Sequence, residues 1–182
     1  MFHKYTIYHF IETFNKEEIS RLNNKINLIF RNYSQYFNEQ FFRELVNFCK
    51  KRKQKIFISN NIKVAKLCKF DGVYIPSFNK NLNYKNFGFY KNFKIIGSAH
   101  NNKEVLIKLN QNCEEIFVSP IFLSKKNKSS LGIPKFNKIN LSNKKKIIAL
   151  GGINQKNVNL IQLTKAKGIA SIEWIKKTGL KN

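Results

Sequence analysis

KIIALGGIN, residues 146–154, decides how the chain is read. A short apolar run, Ile147 to Leu150, stops at two adjacent glycines, and a helix-like segment, Asn154–Ala166, follows. A buried strand that breaks into Gly-Gly and then opens a helix is a way to build an anion site. Glycine lets the backbone come close to the anion, and the following loop presents unpaired N–H groups. A Gly-Gly pair alone is more often only a tight turn. Its place near the end of a repeating strand–helix chain gives it weight.

Working outward from that stretch, short β-branched or aromatic runs recur along the whole chain. The candidate strands are Tyr5–Ile11, Asn27–Arg31, Lys55–Ser59, Gly72–Ile75, Lys94–Ser98, Glu115–Ser119, Lys146–Leu150 and Gly168–Ile172. Between them, Asn38–Lys51 carries Phe41, Phe42, Leu45, Val46 and Phe48 at helical spacing. Asn61–Lys69, Asn102–Asn112 and Asn154–Ala166 read similarly, and Glu17–Asn24 reads as a short first helix. Strands alternating with helices predict parallel βαβ units, in either a (β/α)8 TIM barrel or a doubly wound open sheet. Eight repeats favour the barrel, compact for its class, with a truncated last helix beginning at Trp174. Nothing reads as a linker, so residues 1–182 are expected to form a single domain.

In a barrel, function sits where strands end, at the C-terminal face. Those ends are Ile11–Thr13, Arg31–Tyr33, Ser59–Asn61, Pro76–Asn79, Ser98–His100, Ser119–Ser124, Gly151–Ile153 and Glu173. Phosphate typically goes to the loops after strands seven and eight, here Gly151–Gly152 and the Glu173 end. Arg31, a charge ending the apolar strand LIFR, is a candidate anion partner; a surface arginine at a strand end is the plain alternative.

Composition narrows the classes. No run approaches the roughly 18 apolar residues of a membrane helix. The N-terminus lacks a small-residue cleavage site and runs directly into a strand pattern. Three widely spaced cysteines, Cys49, Cys68 and Cys113, suit neither a disulfide framework nor zinc, so reduced thiols in or near the core of a cytoplasmic protein are expected. The net charge of +24 points toward nucleic acid. Yet the abundant Lys, Asn, Ile and Phe all have codons built from A and T alone, and the lysines are dispersed, with short runs at Lys50–Lys55 and Lys144–Lys146. A solvated basic surface is the simpler reading, and an RNA-binding module the remote one. Asp71 is the sole aspartate, so a mechanism needing two aspartates on one metal is closed to this chain alone.

With the strands laid out, the chain from Leu28 to about Glu173 resembles the thiamine-phosphate synthase/TenI family. LIFRNY (28–33) is similar to its strand-two motif, an Arg followed two residues later by Lys, and ISNN (58–61) stands where Ile-Asn-Asp-Arg is usual, with Ala65 at the right spacing. DGVYIP (71–76) resembles Asp-Gly-Val-His-Leu, and IIGSAH (95–100) resembles the strand-five motif ending Ser-x-His. SPIFLS (119–124), with Leu131–Gly132 downstream, looks like Gly-Pro-x-Phe-x-Thr; IALGGINQKN (148–157) looks like Ala-Ile-Gly-Gly-Ile-x-x-x-Asn, and GIASI (168–172) like Gly-Val-Ala-Val-Ile.

The resemblance implies a transferase that joins hydroxymethylpyrimidine diphosphate to thiazole phosphate, giving thiamine phosphate and pyrophosphate. It implies that Arg31 contacts the diphosphate, that Ser98 and Ser124 bind the pyrimidine or the leaving group, and that Gly151 and Gly152 hold the thiazole phosphate. Tyr33, Ser59 and Ser119 fall on substrate-binding positions, and His100 is a candidate acid or base, or an orienting group. The departures are specific. The strand-two lysine is Tyr33, the Asn-Asp pair is Ser59–Asn60, the second aspartate of the expected Mg²⁺ site falls on Asn79, and a small residue beside the phosphate aligns with Glu173. Asn60 and Asn79 are thus the candidate Mg²⁺ ligands, and as amides they bring no charge to hold the ion. The TenI-like branch, which tautomerises a thiazole carboxylate phosphate or lacks transfer activity, uses a His where this chain has Pro120. The alternative is a divergent binder of a phosphorylated heterocycle.

Overall fold

In the computed structural model, residues 5–34, 36–87, 92–124, 129–141 and 145–178 are described, with backbone alone at 85, 87 and 141. Lys144 of the short lysine run lies outside them. Eight strands pair in chain order, each parallel to the next: β1 (Thr6–Ile11), β2 (Ile26–Phe30), β3 (Ile56–Ser59), β4 (Gly72–Ile75), β5 (Lys94–Ala99), β6 (Glu115–Val118), β7 (Lys146–Leu150) and β8 (Gly168–Ser171). β1 also pairs with β8, Thr6 opposite Gly168, which closes the barrel and removes the open-sheet alternative.

These strands read as continuous apolar runs because both of their faces are buried. Tyr8, Phe10, Ile29, Phe57, Tyr74, Ile96, Phe117 and Ile148 fill the interior. The residues between them, such as Leu28, Phe30, Ile58, Val73 and Ile75, face the surrounding helices. The interior is packed with rings: Tyr8 meets Phe117 edge to face at 4.9 Å, and Phe10 meets Tyr74 at 5.3 Å. The barrel is therefore a filled core with a mouth at one end, not a channel.

The helices are α1 (Lys16–Ser20), α2 (Glu39–Lys51), α3 (Ile62–Leu67), α4 (Asn102–Asn110), α5 (Gly132–Leu141) and the stub α6 (Glu173–Thr178). The asparagine-rich composition supplies their starts. Asn15, Asn38, Asn61 and Asn101 each accept a hydrogen bond from a first-turn backbone N–H, as N-caps do. α2 turns Phe42, Leu45, Val46 and Cys49 onto the barrel wall. All three cysteines are buried and free. Among the described residues no helix is long and apolar enough to cross a membrane.

Three expectations need correction. Asn154–Ala166 is not an α-helix: a turn leads into a short 3-10 segment, Val158–Leu163. Asparagine side chains compete for the backbone there, the Asn154 N–H donating to Asn157 Oδ1 (2.8 Å) and the Lys156 N–H to Asn154 Oδ1 (2.9 Å). The second strand ends at Phe30, leaving Arg31 just beyond it, and the first helix is shorter than read. Leu82–Phe87 forms a 3-10 turn and Gly132–Leu141 a helix that periodicity did not reveal.

Candidate functional site

β7 ends in Gly151 and Gly152, both at positive φ (91° and 71°), a region other residues enter at a cost. Gly152 is also forced by space: a Cβ on it would lie 2.2 Å from the Phe122 carbonyl oxygen. The loop after β6 is laid against this turn, with the Ile121 N–H donating to Leu150 O (2.9 Å) and the Phe122 N–H to Gly151 O (3.1 Å). Asn157 Nδ2 donates to Gly152 O (2.8 Å), so the carbonyl side of the turn is tied down. The Gly151 and Gly152 N–H groups have no hydrogen-bond partner among the described residues. They border a cavity of about 350 Å³, lined also by Ser124, Ser171 and Glu173. The sequence put Gly151, Gly152 and the Glu173 end together as the phosphate end of the mouth, and they line one cavity; Ser124, expected with Ser98 at the pyrimidine or the leaving group, lines that same cavity instead. The Asn154 N–H, by contrast, is already spent on Asn157, so the cradle is the glycine pair itself. Glu173 is exposed, where water screens its carboxylate.

At the centre of the mouth, the Arg31 guanidinium lies over the Phe10 ring at 4.7 Å. Its ion pair with Glu12 is long, 3.9 Å, and the Glu12 partner is largely exposed, which leaves the charge available to an anion. Ser98 is buried near the end of β5, close to the phenol of Tyr74. Burial pushes that phenol up to about 12, against the opposing influence of Ser98, so it stays protonated at neutral pH. His100 bridges two loops: its Nδ1 is 2.8 Å from the Ser119 carbonyl and its Nε2 3.1 Å from Ser77 Oγ. A carbonyl only accepts, so Nδ1 carries a proton and donates it to Ser119 O. Here His100 orients two loops, and Ser77 is a partner that sequence reasoning missed.

On the β2–β4 side stand Tyr33, Ser59, Asn60 and Asn79. The Tyr33 hydroxyl and Ser59 Oγ are 3.2 Å apart. The Tyr33 ring meets Phe78 edge to face at 5.9 Å, and both are more than half exposed (59% and 64%). Asn79 Oδ1 accepts from the Asn81 N–H (2.9 Å), which fixes the orientation of the amide and turns its Nδ2 to Asn60 Oδ1 (2.6 Å) and the Tyr84 hydroxyl (3.3 Å).

That arrangement does not fit Mg²⁺. A hard dication needs oxygen ligands, usually carboxylates. At the two candidate positions both amide oxygens already accept a hydrogen bond, and Asn79 presents an N–H where an oxygen is wanted. The only aspartate is far off, Asp71 Oδ2 accepting from the Ile56 N–H at the start of β3. Among the described residues no group of three or more His, Cys, Asp or Glu is placed to hold a metal.

Beneath this loop is a residue the sequence reading passed over. Lys108, on the inner face of α4, is fully buried. Its Nζ donates to Pro76 O (2.8 Å), Asn79 O (2.8 Å) and Gln111 Oε1 (2.9 Å), three acceptors for three ammonium protons. Gln111 Nε2 adds bonds to Asn79 O (3.1 Å) and Asn81 O (2.8 Å). The signal was available, since Lys108 lies three residues after buried Val105, on the same face. Burial pulls its ammonium down to about 8, below the 10.5 it has when exposed. A depressed folded value means the unfolded chain holds the proton more tightly. The contribution to stability is thus fully present above 10.5 and lost as pH falls through about 8. Relative to Lys108→Met, the wild type is expected to gain stability as pH rises across that window. Denaturant midpoints that shift in parallel for both proteins would contradict it.

Comparison with known proteins shows the family and the fold. Residues 28–175 match the thiamine monophosphate synthase family. A thiamine-phosphate synthase from Prochlorococcus marinus is 33% identical over 142 residues, 73% of this chain and 39% of that protein. A second, from another strain, is 31% identical over 144 residues, 76% of this chain and 39% of that protein. The chain thus spans about two fifths of the length of the curated relatives it matches. Among solved structures, thiamine phosphate pyrophosphorylase from Pyrococcus furiosus superposes with a TM-score of 0.74 over 96% of this chain and 92% of that one, at 19% identity, a likeness of fold.

Proposed function

We propose that this chain, which belongs to the thiamine monophosphate synthase family, seats a thiazole phosphate on the Gly151 and Gly152 amides and couples it to hydroxymethylpyrimidine diphosphate. The observation that carries the reading is the pair of glycine N–H groups, without a partner among the described residues, on the cavity between β7 and β8. Backbone donors held in place before the ligand arrives bind an oxyanion without the cost of reorganising.

In the coupling, the pyrimidine CH₂–O bond breaks and pyrophosphate leaves with the electron pair. The thiazole nitrogen then gives its lone pair to the same carbon, yielding thiamine phosphate. Arg31 is the mouth cation for the departing charge. Ser98 and the protonated Tyr74 offer hydroxyls to the pyrimidine, and the Phe10 and Tyr74 rings close the floor against water.

One observation favours a second reading, a family member that binds the phosphorylated heterocycle and transfers nothing: the Asn60–Asn79 amide pair where the family resemblance expects charge. Incubating the purified protein with both substrates decides between them. Thiamine phosphate appearing above the protein-free rate supports coupling. No product from wild type, with turnover gained by Asn60→Asp/Asn79→Asp, establishes the second reading.

A further inference from the structure

We propose that the β2–β4 side of the mouth takes its ligand without a divalent cation: a neutral, planar nitrogen heterocycle bearing an anionic group, its ring on the Tyr33–Phe78 pair, a ring nitrogen on the Asn60 amide and the anion on Arg31. The proposal rests on the mouth being the substrate site, and on nothing about the glycine cradle.

Four observations converge. The amide pair is closed on itself, Asn79 Nδ2 to Asn60 Oδ1 at 2.6 Å, and the Asn81 N–H locks the Asn79 amide so that it cannot turn its oxygen outward without losing a bond. Lys108 places an ammonium 2.8 Å from the Asn79 carbonyl, so a positive charge already sits under the loop where a dication would add to it. Asn60 Nδ2 has no hydrogen-bond partner among the described residues, which leaves donors for an acceptor nitrogen or oxygen of the ligand. Tyr33 and Phe78 expose their rings directly beside these amides in the chain, Ser59 (bonded to Tyr33) preceding Asn60, and Phe78 preceding Asn79. Exposed rings in edge contact next to unused amide donors form a platform for a flat heteroaromatic. Asn60 itself is held at φ 58° with its N–H on Tyr74 O (2.8 Å), so its side chain is presented from a fixed backbone.

The test is calorimetric titration of the intact protein with hydroxymethylpyrimidine phosphate and, separately, with inorganic pyrophosphate, each in EDTA and in millimolar Mg²⁺. Affinity for the pyrimidine phosphate is expected to agree within about twofold between the two conditions. Tyr33→Leu, which removes the ring and keeps bulk, is expected to weaken the pyrimidine phosphate by about tenfold and leave pyrophosphate unchanged. Asn60→Asp/Asn79→Asp is expected to acquire Mg²⁺-dependent pyrophosphate binding that the wild type lacks. Tightening of the wild type by Mg²⁺ of tenfold or more, absence of pyrimidine phosphate binding, or a Tyr33→Leu protein that binds both probes like wild type would each overturn the proposal. Titration with thiazole phosphate is read independently: its failure sinks the coupling reaction and leaves the metal-free platform standing.

Discussion

Gly152→Ala is expected to lose thiazole phosphate binding by at least about tenfold and to lower stability by about 1–3 kcal/mol, the usual cost of holding a non-glycine residue at a strained φ. The residue sits at φ 71°, and its added methyl would stand 2.2 Å from Phe122 O and 2.7 Å from Leu123 O, both backbone atoms. Neither can swing aside as a long side chain can. The Phe122–Leu123 segment must move, and it is tied to the same turn through the Phe122 N–H bond to Gly151 O. Any relief therefore displaces the amides that form the cradle. The milder control is Ser124→Ala, which keeps the backbone and trims one hydroxyl from the cavity wall. Binding titrations with thiazole phosphate, alongside thermal melts to show that the variant folds, separate the two effects. A Gly152→Ala protein that is folded and binds like wild type would remove the cradle from the site.

Much of this was legible in the sequence because the barrel repeats one physical unit. Strands buried on both faces give unbroken apolar runs, and so Ile147–Leu150 and its seven counterparts could be found by eye. The glycine pair was legible for a related reason, since little besides glycine fits two successive positive-φ positions against another backbone. What stayed hidden was written in side-chain hydrogen bonds. The expected helix after Gly152 fails because Asn154 and Asn157 bond the backbone themselves, a choice that hydrophobic spacing does not register. The Asn60–Asn79 pair showed as two departures from a familiar pattern. That they face each other, and that Asn81 orients the second, needed coordinates. Ser77 and Lys108 escaped notice because their roles depend on loops 23 and 32 positions away, at His100 and Pro76.

The other large effect is expected far from the mouth, at the barrel floor. Glu115 is buried (1% exposed) at the start of β6, where Lys94 of β5 donates to Oε1 at 2.5 Å and the Tyr8 hydroxyl of β1 donates to Oε2 at 2.7 Å. Burial, with the facing carboxylate, raises the Tyr8 phenol far above its usual range, so it keeps its proton and donates it to Glu115. One carboxylate thus joins three strands, and two of them, β1 and β6, lie on different sides of the barrel. Glu115→Ala leaves the Tyr8 phenol without its acceptor in the apolar interior and the part-buried Lys94 ammonium without its carboxylate, and is expected to cost about 3–5 kcal/mol, as removing one member of a buried pair does. For a chain of this size the melting temperature should fall by on the order of 10 °C. Glu115→Gln keeps the shape and one acceptor for Tyr8, and should cost clearly less. Lys94, with part of its side chain in water, tolerates losing its partner better than Tyr8 does. Pairing Glu115→Ala with Tyr8→Phe tests where the penalty lies. If the buried hydroxyl is the main casualty, the double variant recovers part of the loss; purely additive costs would place the penalty in the cavity left by the carboxylate.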